Sequence, residues 1–342
     1  MSDTTTPRRA TLAQVAELAG VSLKTASRAL GGEPYVSERT RAQVLAAARS
    51  LDYQRNAAAS LLASGRLSDS VGLIAGDFTN PFYSAVAEGL ENAIRERGFH
   101  LTVASSRESA EREWELARTL ADAQTKAIVV VSAMTDHSPY ETLRARGVPV
   151  VFVDRSAEGA DSVVLDNVGG GRAAARHLLA AGHRRIGFIG DYDWLPTHRD
   201  RVAGMGEVLD EAGVTGWREL VRTGAHDAVT ARRTAEELLA EEDPPTAVIA
   251  GNNRVLLGLV EKLAASPDAS RRPAVLGFDD VEWARVLGIS VVAHDPADIG
   301  RHAARLALAR LVDRGGPPET VVLPLTLTAR GSAESPPPDP AL

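Results

Sequence analysis

The chain has 342 residues, of which 24% are charged and 44% hydrophobic, a composition typical of a folded protein with two or three domains. It lacks cysteine, which excludes a disulfide framework, a catalytic thiol and thiolate metal ligands. The segment Met1 to Arg9 has no apolar run of the signal-peptide type, and no segment approaches the ~20 apolar residues of a membrane span. We therefore expect a cytoplasmic protein.

The formal net charge of −7 is unevenly distributed along the chain. Residues 1–66 hold nine basic and five acidic side chains, a net of +4, which leaves −11 on the remaining 276 residues. A basic head on an acidic body is the asymmetry expected when one part of a protein contacts nucleic acid and the rest does not.

The basic head predicts two short helices joined by a glycine-containing turn. Thr11 is placed to cap the first helix, Gly20 interrupts the pattern, and Ser22 begins a second helix that runs to Leu30. This arrangement is either an ordinary helical hairpin or a helix-turn-helix, whose second helix enters the major groove of DNA. The apolar stripes predicted to pack these helices together are Leu12, Val15, Ala16 and Leu18 in the first and Ala26, Ala29 and Leu30 in the second.

The second helix leaves four side chains pointing outward, and these are the candidate readers of DNA: Leu23, Lys24, Ser27 and Arg28. Arg28 can make a bidentate contact to guanine, Lys24 can reach a guanine or a phosphate, and Leu23 can pack on a thymine methyl group.

Two further helices follow in the head and favour the helix-turn-helix over a plain hairpin. One begins at Ser37 and has an apolar face formed by Val44, Leu45, Ala48 and Leu51. The other is short and alanine-rich, covers residues 56–65 and ends at Gly65.

The acidic body alternates short apolar runs with amphipathic segments, which predicts parallel strands buried on both faces and joined by helices. One such helix is predicted from Pro81 to Arg97. The apolar runs are Val71 to Ala75, Leu101 to Ala104, Ala127 to Val131, Val148 to Val153, Val163 to Leu165, Ile186 to Ile189, Ala247 to Ala250, Val275 to Phe278, Val291 to Ala293 and Val321 to Leu325. About ten strands favour two open α/β lobes, with a ligand at the carboxyl ends of their strands.

The head from Thr11 to Leu30, the segment Pro34 to Ser37 and the segment Asn56 to Arg66 together resemble the lactose-repressor (LacI/GalR) family of transcriptional regulators. The resemblance continues to about residue 331 through motifs such as Asn80 to Tyr83 and Gly277 to Asp280. It implies an α/β fold with an all-α helix-turn-helix head, a hinge helix, and a two-lobed periplasmic-binding-protein-like effector domain of two parallel-sheet subdomains.

The resemblance also implies domain boundaries. The head spans residues 1–66 with the hinge at 56–65, and the effector and dimerisation domain spans 67–332. The chain crosses between lobes near Asp166, Ala293 and Thr326, which gives a first lobe of about 67–166 and 294–326 and a second lobe of about 167–293 and 327–332. Residues 333–342 are proline-rich and are expected to be a disordered tail.

In this family the hinge helix orders on the operator, and a leucine from each subunit wedges into the minor groove, a position that Leu62 matches. The alternative for Leu62 is a core position in an alanine-rich helix. Arg55, Ser60 and Gly31 stand where the family usually has proline, arginine and asparagine. The DNA-binding residues implied are Thr11, Ser22, Leu23, Lys24, Thr25, Ser27, Arg28, Tyr53, Asn56, Ala59 and Leu62.

The family positions also imply an effector site at the strand ends, formed by Phe82, Tyr83, Asp154, Trp194, Arg199, His226, Asn252, Asp279, Trp283 and His294. Carboxylates, an asparagine and an arginine suit a sugar or sugar derivative, because vicinal hydroxyls donate to carboxylates and accept from guanidinium. The acids can instead serve as helix caps, and the tryptophans as packing residues. Asn253 and His294 stand where the family usually has aspartate and glutamine, which points to an effector outside the commonest set or to a shifted pocket.

Enzyme signatures are missing from the sequence. No lysine has the glycine context of a phosphate-binding loop, no Gly-x-Ser-x-Gly elbow exists, and no two histidines lie four residues apart. Gly169 to Gly171 fits close helix packing better than a phosphate cradle. We therefore expect a homodimeric repressor of operator DNA, gated by a small-molecule effector, with no cofactor, no metal and no membrane partner. The alternatives are an exported sugar-binding protein, which needs a signal peptide, and a sugar-active enzyme that uses the same cleft.

Overall fold

The computed structural model describes residues 10–33, 35–53, 69–265 and 272–337. The chain divides into two compact units, residues 1–67 and residues 68–342. The expected hinge helix, with Arg55, Asn56, Ala59, Ser60 and Leu62, lies outside the described residues.

The described residues of the first unit, 10–33 and 35–53, form three helices, α1 (Leu12–Leu18), α2 (Leu23–Leu30) and α3 (Glu38–Ser50). Each begins after its predicted cap, Thr11, Ser22 or Ser37, whose hydroxyl accepts a hydrogen bond from the backbone N–H three residues later. The buried core that joins the three helices is Val15, Ala16, Ala26, Ala29, Val44, Ala47 and Ala48. The predicted helix-turn-helix is therefore confirmed.

The prediction that two leucines, Leu18 and Leu45, belong to the core of this unit is wrong. Leu18 is 57% exposed and Leu45 is 39% exposed. At 100° per residue, Leu18 lies well away from the stripe that Leu12 and Val15 begin, and Ala19 takes the next inward position. Leu45 flanks the buried stripe of α3 rather than belonging to it.

The second unit alternates strands and helices. In chain order they are β1 (Ser70–Ala75), α4 (Pro81–Arg95), β2 (His100–Ser105), α5 (Ala110–Asp122), β3 (Ala127–Val130), α6 (Ser138–Ala145), β4 (Val150–Val153), β5 (Asp161–Leu165), α7 (Asn167–Ala180), β6 (Ile186–Ile189), α8 (Pro196–Glu211), a 3₁₀ turn (Trp217–Leu220), β7 (Val221–Arg222), α9 (Ala228–Leu239), β8 (Ala247–Ala250), α10 (Asn253–Ala264), β9 (Ala274–Phe278), α11 (Glu282–Val286), β10 (Ser290–Ala293), α12 (Pro296–Val312), β11 (Thr320–Leu323) and β12 (Thr326–Thr328).

The strands form two six-stranded sheets, which define two lobes. The first lobe has the order β11-β5-β4-β3-β1-β2 and the second has the order β12-β10-β9-β8-β6-β7. The chain changes sheet between β5 and β6, between β10 and β11, and between β11 and β12. The predicted two-lobed α/β architecture is confirmed.

The ten predicted strands all form, with small shifts at their ends. The sequence pattern missed β7 and β12, which are only two and three residues long. The ten predicted strands pair parallel with one another, as expected, whereas β12, which was not predicted, pairs antiparallel with β10. The expectation of burial on both faces is wrong for β2, an edge strand in which Val103 is 50% exposed.

Helices pack closely where glycine replaces a side chain. A Cβ atom on Gly89 of α4 would lie 1.9 Å from the carbonyl oxygen of Ala297, so α4 and α12 touch backbone to backbone. A Cβ atom on Gly171 of α7 would lie 2.1 Å from the carbonyl oxygen of Arg201 on α8. Gly171 therefore serves the close helix packing that the sequence indicated.

The expectation of a disordered tail from residue 333 is wrong for residues 333–337. Ala333 is fully buried. Glu334 accepts hydrogen bonds from Ser290 Oγ and lies 2.5 Å from His177 Nε2. The carbonyl oxygen of Ser335 is 2.9 Å from His183 Nε2. These polar contacts hold the segment against the second lobe despite its proline content.

Within the described residues, no helix has the length and apolar character needed to cross a membrane.

Candidate functional site

A cleft lies between the two lobes, at the carboxyl ends of their parallel strands. The first lobe contributes Asp77, Asn80, Phe82, Tyr83, Glu108, Asp154 and Arg155. The second lobe contributes Asp191, Leu195, Thr197, His198, Arg201, His226, Gly251, Asn252, Arg254 and Asp279. Because each lobe ends its strands at the cleft, polar residues distant in sequence meet there.

Asp154 and Asp279 occupy equivalent places in the two lobes, each directly after a central strand. Both have left-handed backbone conformations, with φ of 67° and 70°. A non-glycine residue in this region costs about 1 to 3 kcal/mol and is typically found at functional sites. The conformation aims both carboxylates into the cleft from their strand ends.

The wall of the first lobe is a buried network around Arg155. Its guanidinium donates to Glu108 through two hydrogen bonds of 2.6 and 2.9 Å, and to the carbonyl oxygen of Ser132 at 2.7 Å. Tyr83 donates from its hydroxyl to Asp154 Oδ2 at 3.3 Å. Burial raises the pKa of Asp154, although Arg155 and Arg201 act in the opposite direction.

Glu113 supports this wall from beneath. Its carboxylate accepts hydrogen bonds from Ser132 Oγ at 2.7 Å, the backbone N–H of Ala133 at 2.5 Å and the hydroxyl of Tyr140 at 2.7 Å. Glu113 thereby fixes the loop whose Ser132 carbonyl holds Arg155. Burial raises the pKa of Glu113.

The wall of the second lobe is organised around Asp191. Asn252 donates to Asp191 Oδ2 at 3.0 Å, and His226 Nδ1 lies 2.9 Å from Asp191 Oδ1. The hydrogen bond to Asp191 raises the pKa of His226. Tyr192 stacks on His226 with ring centroids 4.9 Å apart.

Two buried basic side chains complete the second wall. Arg201 donates to Asn167 Oδ1 at 2.8 Å and to the carbonyl oxygen of Gly251, and its guanidinium lies 4.3 Å from the centroid of the Phe278 ring. His198 is buried, and burial lowers its pKa, which favours the neutral imidazole.

The two lobes touch across the cleft. Asn253 Nδ2 donates to Asn80 Oδ1 at 2.8 Å, and Arg254 donates to the carbonyl oxygen of Thr79 at 3.4 Å. The guanidinium of Arg155 in the first lobe lies 5.7 Å from the ring centroid of Trp194 in the second. Through these contacts the lobes are in a closed arrangement, with about 50 Å³ left between them for water-sized molecules.

The head presents α2 as an exposed face. Leu23 is 54% exposed, and Lys24 and Arg28 are also exposed. Arg28 Nε lies 3.3 Å from Glu33 Oε2, an ion pair that the sequence analysis did not foresee. Ser22 and Thr11 act as helix caps, and Tyr53 follows α3 with its backbone N–H bonded to the carbonyl oxygen of Ala48.

Comparison with known proteins places both units in one family. The family described as bacterial regulatory proteins, lacI family, matches residues 11–56. The periplasmic binding protein-like domain matches residues 175–333. The ribose operon repressor of Bacillus subtilis (strain 168) is 32% identical over 324 residues, which cover 94% of this chain and 98% of that protein. The chain belongs to the lacI family of bacterial regulatory proteins. It is a sequence-specific DNA-binding transcriptional regulator.

Two solved structures of lacI-family regulators extend the comparison. The transcriptional regulator CelR in complex with cellobiose is 30% identical, with a TM-score of 0.69, and covers 95% of this chain and 100% of that one. The Cra dual regulator of Pseudomonas putida in complex with fructose 1-phosphate is 28% identical, with a TM-score of 0.71, and covers 77% of this chain and 99% of that one.

The structure of this lacI-family chain brings six of the ten predicted effector residues together in the cleft: Phe82, Tyr83, Asp154, His226, Asn252 and Asp279. They share a position just after a strand or at the start of the helix that follows it.

The other four predicted effector residues do not line the free space of the cleft. Arg199 is exposed, because it lies on the solvent-facing side of α8, whereas His198 and Arg201 take the inward positions. Trp194 stacks on Tyr192 at 6.0 Å and lies 5.7 Å from the guanidinium of Arg155, a residue of the cleft wall. Trp283 and His294 line a separate groove on the far side of Phe82 and Asp279.

Both ring nitrogens of His294 contact residues near the points where the chain crosses between the lobes. Its Nδ1 lies 2.9 Å from the carbonyl oxygen of Pro324, and its Nε2 lies 3.0 Å from Asp298 Oδ2. The residue therefore joins two of the segments at which the chain changes lobe.

Sequence reasoning missed Glu108, Arg155, Asp191, His198 and Arg201. Asp191 lies two residues after the end of β6, so the expectation that ligand-binding residues follow strand ends could have found it. Arg155 is adjacent to Asp154, and Arg201 stands three residues before the Gly204 that packs on α7. Glu108 belongs to a loop with no local signal. Among the described residues, no group of three or more potential ligands could hold a metal ion.

Proposed function

We propose that this regulator is a cytoplasmic homodimeric repressor whose affinity for operator DNA is set by a sugar bound in the cleft. Each head reads one half-site, with Leu23, Lys24 and Arg28 nearest the base edges, Thr25 and Ser27 beside them, and Thr11, Ser22 and Tyr53 near phosphates. Asn56, Ala59 and the two Leu62 side chains contact the centre of the operator. The effector domains of the two subunits hold the half-sites in register.

The proposal of a sugar effector rests on the chemistry of the residues that line the cleft. Asp154 and Asp279 converge from opposite lobes, and Asn252, Arg155 and Tyr83 stand between them. Sugar hydroxyls donate to carboxylates and accept from guanidinium and amide groups, so one ring can bond to both lobes at once. The relatives support this assignment, since one is a ribose operon repressor and another was solved with cellobiose.

Gating follows from binding between two lobes. A ligand that bonds to both lobes favours the closed arrangement by its difference in affinity for the closed and open forms. If the heads bind operator better in one of these forms, the ligand changes operator affinity and the operator changes ligand affinity by the same factor.

The test measures operator binding and ligand response in the same protein. A binding site is first selected from random DNA, and its affinity is then measured by fluorescence anisotropy with and without each sugar. We expect at least one sugar to change operator affinity, and Asp279→Ala to remove that change while unliganded operator binding stays intact. An unaltered response in Asp279→Ala would remove Asp279 from the effector site.

We further propose that the cleft binds its sugar without chemical conversion and needs no cofactor. The similar proteins are regulators, and the acids of the cleft are engaged in structural hydrogen bonds rather than free to act as an acid/base pair. Incubation of the protein with the bound sugar and chromatography of the mixture should return the sugar unchanged.

A further inference from the structure

We infer that the effector is an uncharged sugar of one ring, without a phosphate group. This inference rests on the proposed function, because it specifies the ligand of the same cleft. It separates this chain from the related regulator that was solved with fructose 1-phosphate.

Carboxylates outnumber arginines in the lining of the cleft. Among the described residues that line it, five are carboxylates and three are arginines. The carboxylates are Asp77, Glu108, Asp154, Asp191 and Asp279. A phosphate dianion placed among them meets like charges in a partly desolvated space, where Coulomb repulsion is poorly screened.

The three arginines of the cleft already donate hydrogen bonds to protein partners. Arg155 donates through both Nη atoms to Glu108, and Arg201 donates to Asn167 and Gly251. Arg254 is the third and reaches the Thr79 carbonyl oxygen. An arginine typically binds a phosphate through two parallel hydrogen bonds from its guanidinium. In each of these three arginines, at least one Nη atom already donates to a carboxylate or carbonyl oxygen.

The remaining positive groups are similarly weak for an anion. A proton on His226 is matched by Asp191, its hydrogen-bond partner at 2.9 Å. The N-terminus of α8 reaches the cleft at Thr197 and His198, and because Pro196 has no N–H, it offers an anion only the N–H groups of these two residues.

Arg155, a residue that lines the cleft, has a buried Nε without a hydrogen-bond partner, and its side chain is only about one-twentieth exposed. A buried polar atom without a partner costs free energy, which a ligand hydroxyl recovers when separation of the lobes exposes that atom. A hydroxyl can accept from Arg155 Nε and donate to a carboxylate such as Asp154 at the same time, whereas a phosphate dianion has no proton to donate.

The closed cleft is also small. It leaves about 50 Å³, the space of roughly three to five water molecules at about 10–15 Å³ each. One sugar ring already requires the lobes to separate slightly. A second ring would have to extend out of the cleft past Asn253 and Asn80, which are hydrogen-bonded across it.

The test compares neutral sugars with their own phosphates on the full chain. D-Ribose, D-galactose, D-glucose, D-fructose and cellobiose are titrated by calorimetry beside ribose 5-phosphate, galactose 1-phosphate, glucose 6-phosphate and fructose 1-phosphate. We expect a neutral monosaccharide to bind at least about tenfold more tightly than its phosphate and than cellobiose. A phosphate or cellobiose that binds best would overturn the inference but leave the proposed sugar gating standing. Operator binding with no response to any of the nine compounds would count against both.

A variant sharpens the charge argument. Glu108→Gln removes one carboxylate and frees Arg155, so we expect the phosphate of the best neutral sugar to gain at least about tenfold in affinity. Glu111→Gln, at an exposed position three residues after Glu108, is the matched control and should leave the binding of the phosphate weak. No gain in Glu108→Gln, with circular dichroism showing a folded protein, would show that the carboxylate is not what rejects the phosphate.

Discussion

Asn253 Nδ2 donates a 2.8 Å hydrogen bond to Asn80 Oδ1 and so joins the second lobe to the first across the cleft. The same amide and the Asn253 backbone N–H both donate to Asp279 Oδ2, at 2.8 and 3.1 Å. Asn253 therefore has two tasks, to hold Asp279 and to close the lobes, and both need an N–H donor.

Asn253→Asp should weaken closure and effector binding. The variant loses both donated bonds of the side chain and places a second carboxylate against Asp279, a repulsion worth more than about 1.4 kcal/mol in a buried site. We expect effector affinity to fall at least about tenfold, and the radius of gyration measured by X-ray scattering to increase. Asn92→Asp, an exposed change on α4, is the matched control. Unchanged affinity in Asn253→Asp would show that the bridge to Asn80 does not contribute to closure.

The left-handed backbone and the hydrogen bonds of Asp279 have opposite effects on stability. Asp279→Gly removes steric strain at φ 70° but leaves the two buried N–H donors of Asn253 without this acceptor, so it should lower the free energy of unfolding by about 1 to 3 kcal/mol and remove the effector response. Asp52→Gly is the matched control, because Asp52 has φ 46° but lies in the head. It should gain stability and keep the response. Urea unfolding and anisotropy measure the two quantities, and an Asp279→Gly variant that is not destabilised, or that still responds, contradicts the prediction.

Much of the fold could be predicted because each element has a local cause. Ser22 and Ser37 mark helix starts through their hydroxyls, and the ten apolar runs mark strands because parallel strands in a covered sheet must be apolar on both faces. The same local causes do not predict the strands at the edges of the sheets. β7 and β12 are too short to show a period, and the exposure of β2 depends on where the strand falls in the sheet order.

The residues of the candidate site could be predicted only where they directly follow a strand, because ligands bind at the carboxyl ends of parallel strands. Asp154 and Asp279 follow central strands and were found, whereas Glu108 reaches the cleft because Arg155 holds it there with two hydrogen bonds. Arg199 and Arg201 are chemically alike and two residues apart. The phase of α8, set by the packing of Gly204 against Val168, decides which of them is buried. Neither effect has a signal in local sequence.

The raised pKa of Glu113 predicts that the free energy of unfolding depends on pH. Burial raises its pKa in the folded protein above the ordinary 4.5, so the folded state binds its proton more tightly than the unfolded state does. The associated stability is present below pH about 4.5 and is lost as the pH rises through the raised pKa. Glu113→Gln cannot ionise and should show a flatter free energy of unfolding over this window. It should also be destabilised by about 1 to 3 kcal/mol, because its amide N–H groups face other donors.

The measurement for Glu113 is urea unfolding at a series of pH values from 4 to 7, compared with the unchanged protein. Glu115→Gln is the control, since Glu115 is exposed on the same helix. Parallel pH curves for Glu113→Gln and the unchanged chain would rule out titration of Glu113 as a source of the slope.

We expect the replacement of Arg28 in the head to reduce both the affinity for operator DNA and the preference for one base. Its exposed ion pair with Glu33 contributes little to stability, so the guanidinium can exchange this partner for a guanine. Arg28→Ala should cost about 1 to 3 kcal/mol of operator binding and relax the preference at one position of each half-site. Sequencing of sites selected by each protein measures this. Uniform weakening on all sequences would instead make Arg28 a phosphate contact.

Arg310 and Arg305 lie on the same helix, and together they test how burial sets the strength of an ion pair. Arg310 Nε and Nη2 donate to the two oxygens of Asp161 at 2.6 and 2.8 Å, and Nη1 donates to the Gly316 carbonyl oxygen at 2.8 Å. Arg305 pairs with Glu319 at 2.6 Å, but the side chains of that pair are 49% and 50% exposed, against 16% and 6% for Arg310 and Asp161.

Arg310→Ala should destabilise the first lobe by about 3 kcal/mol or more, because it leaves a buried carboxylate without its cation and releases the loop before β11. Arg305→Ala should cost less than about 1 kcal/mol, because water screens its pair. Burial acts to raise the pKa of Asp161, but the hydrogen bonds from Arg310 and the Glu319 N–H hold it below the ordinary 3.8. Stability from this pair is therefore present above pH about 4 and is lost as the pH falls through the lowered pKa. Urea unfolding at pH 7 and at lower pH measures both effects. Equal costs for the two alanine variants would show that exposure does not set the difference.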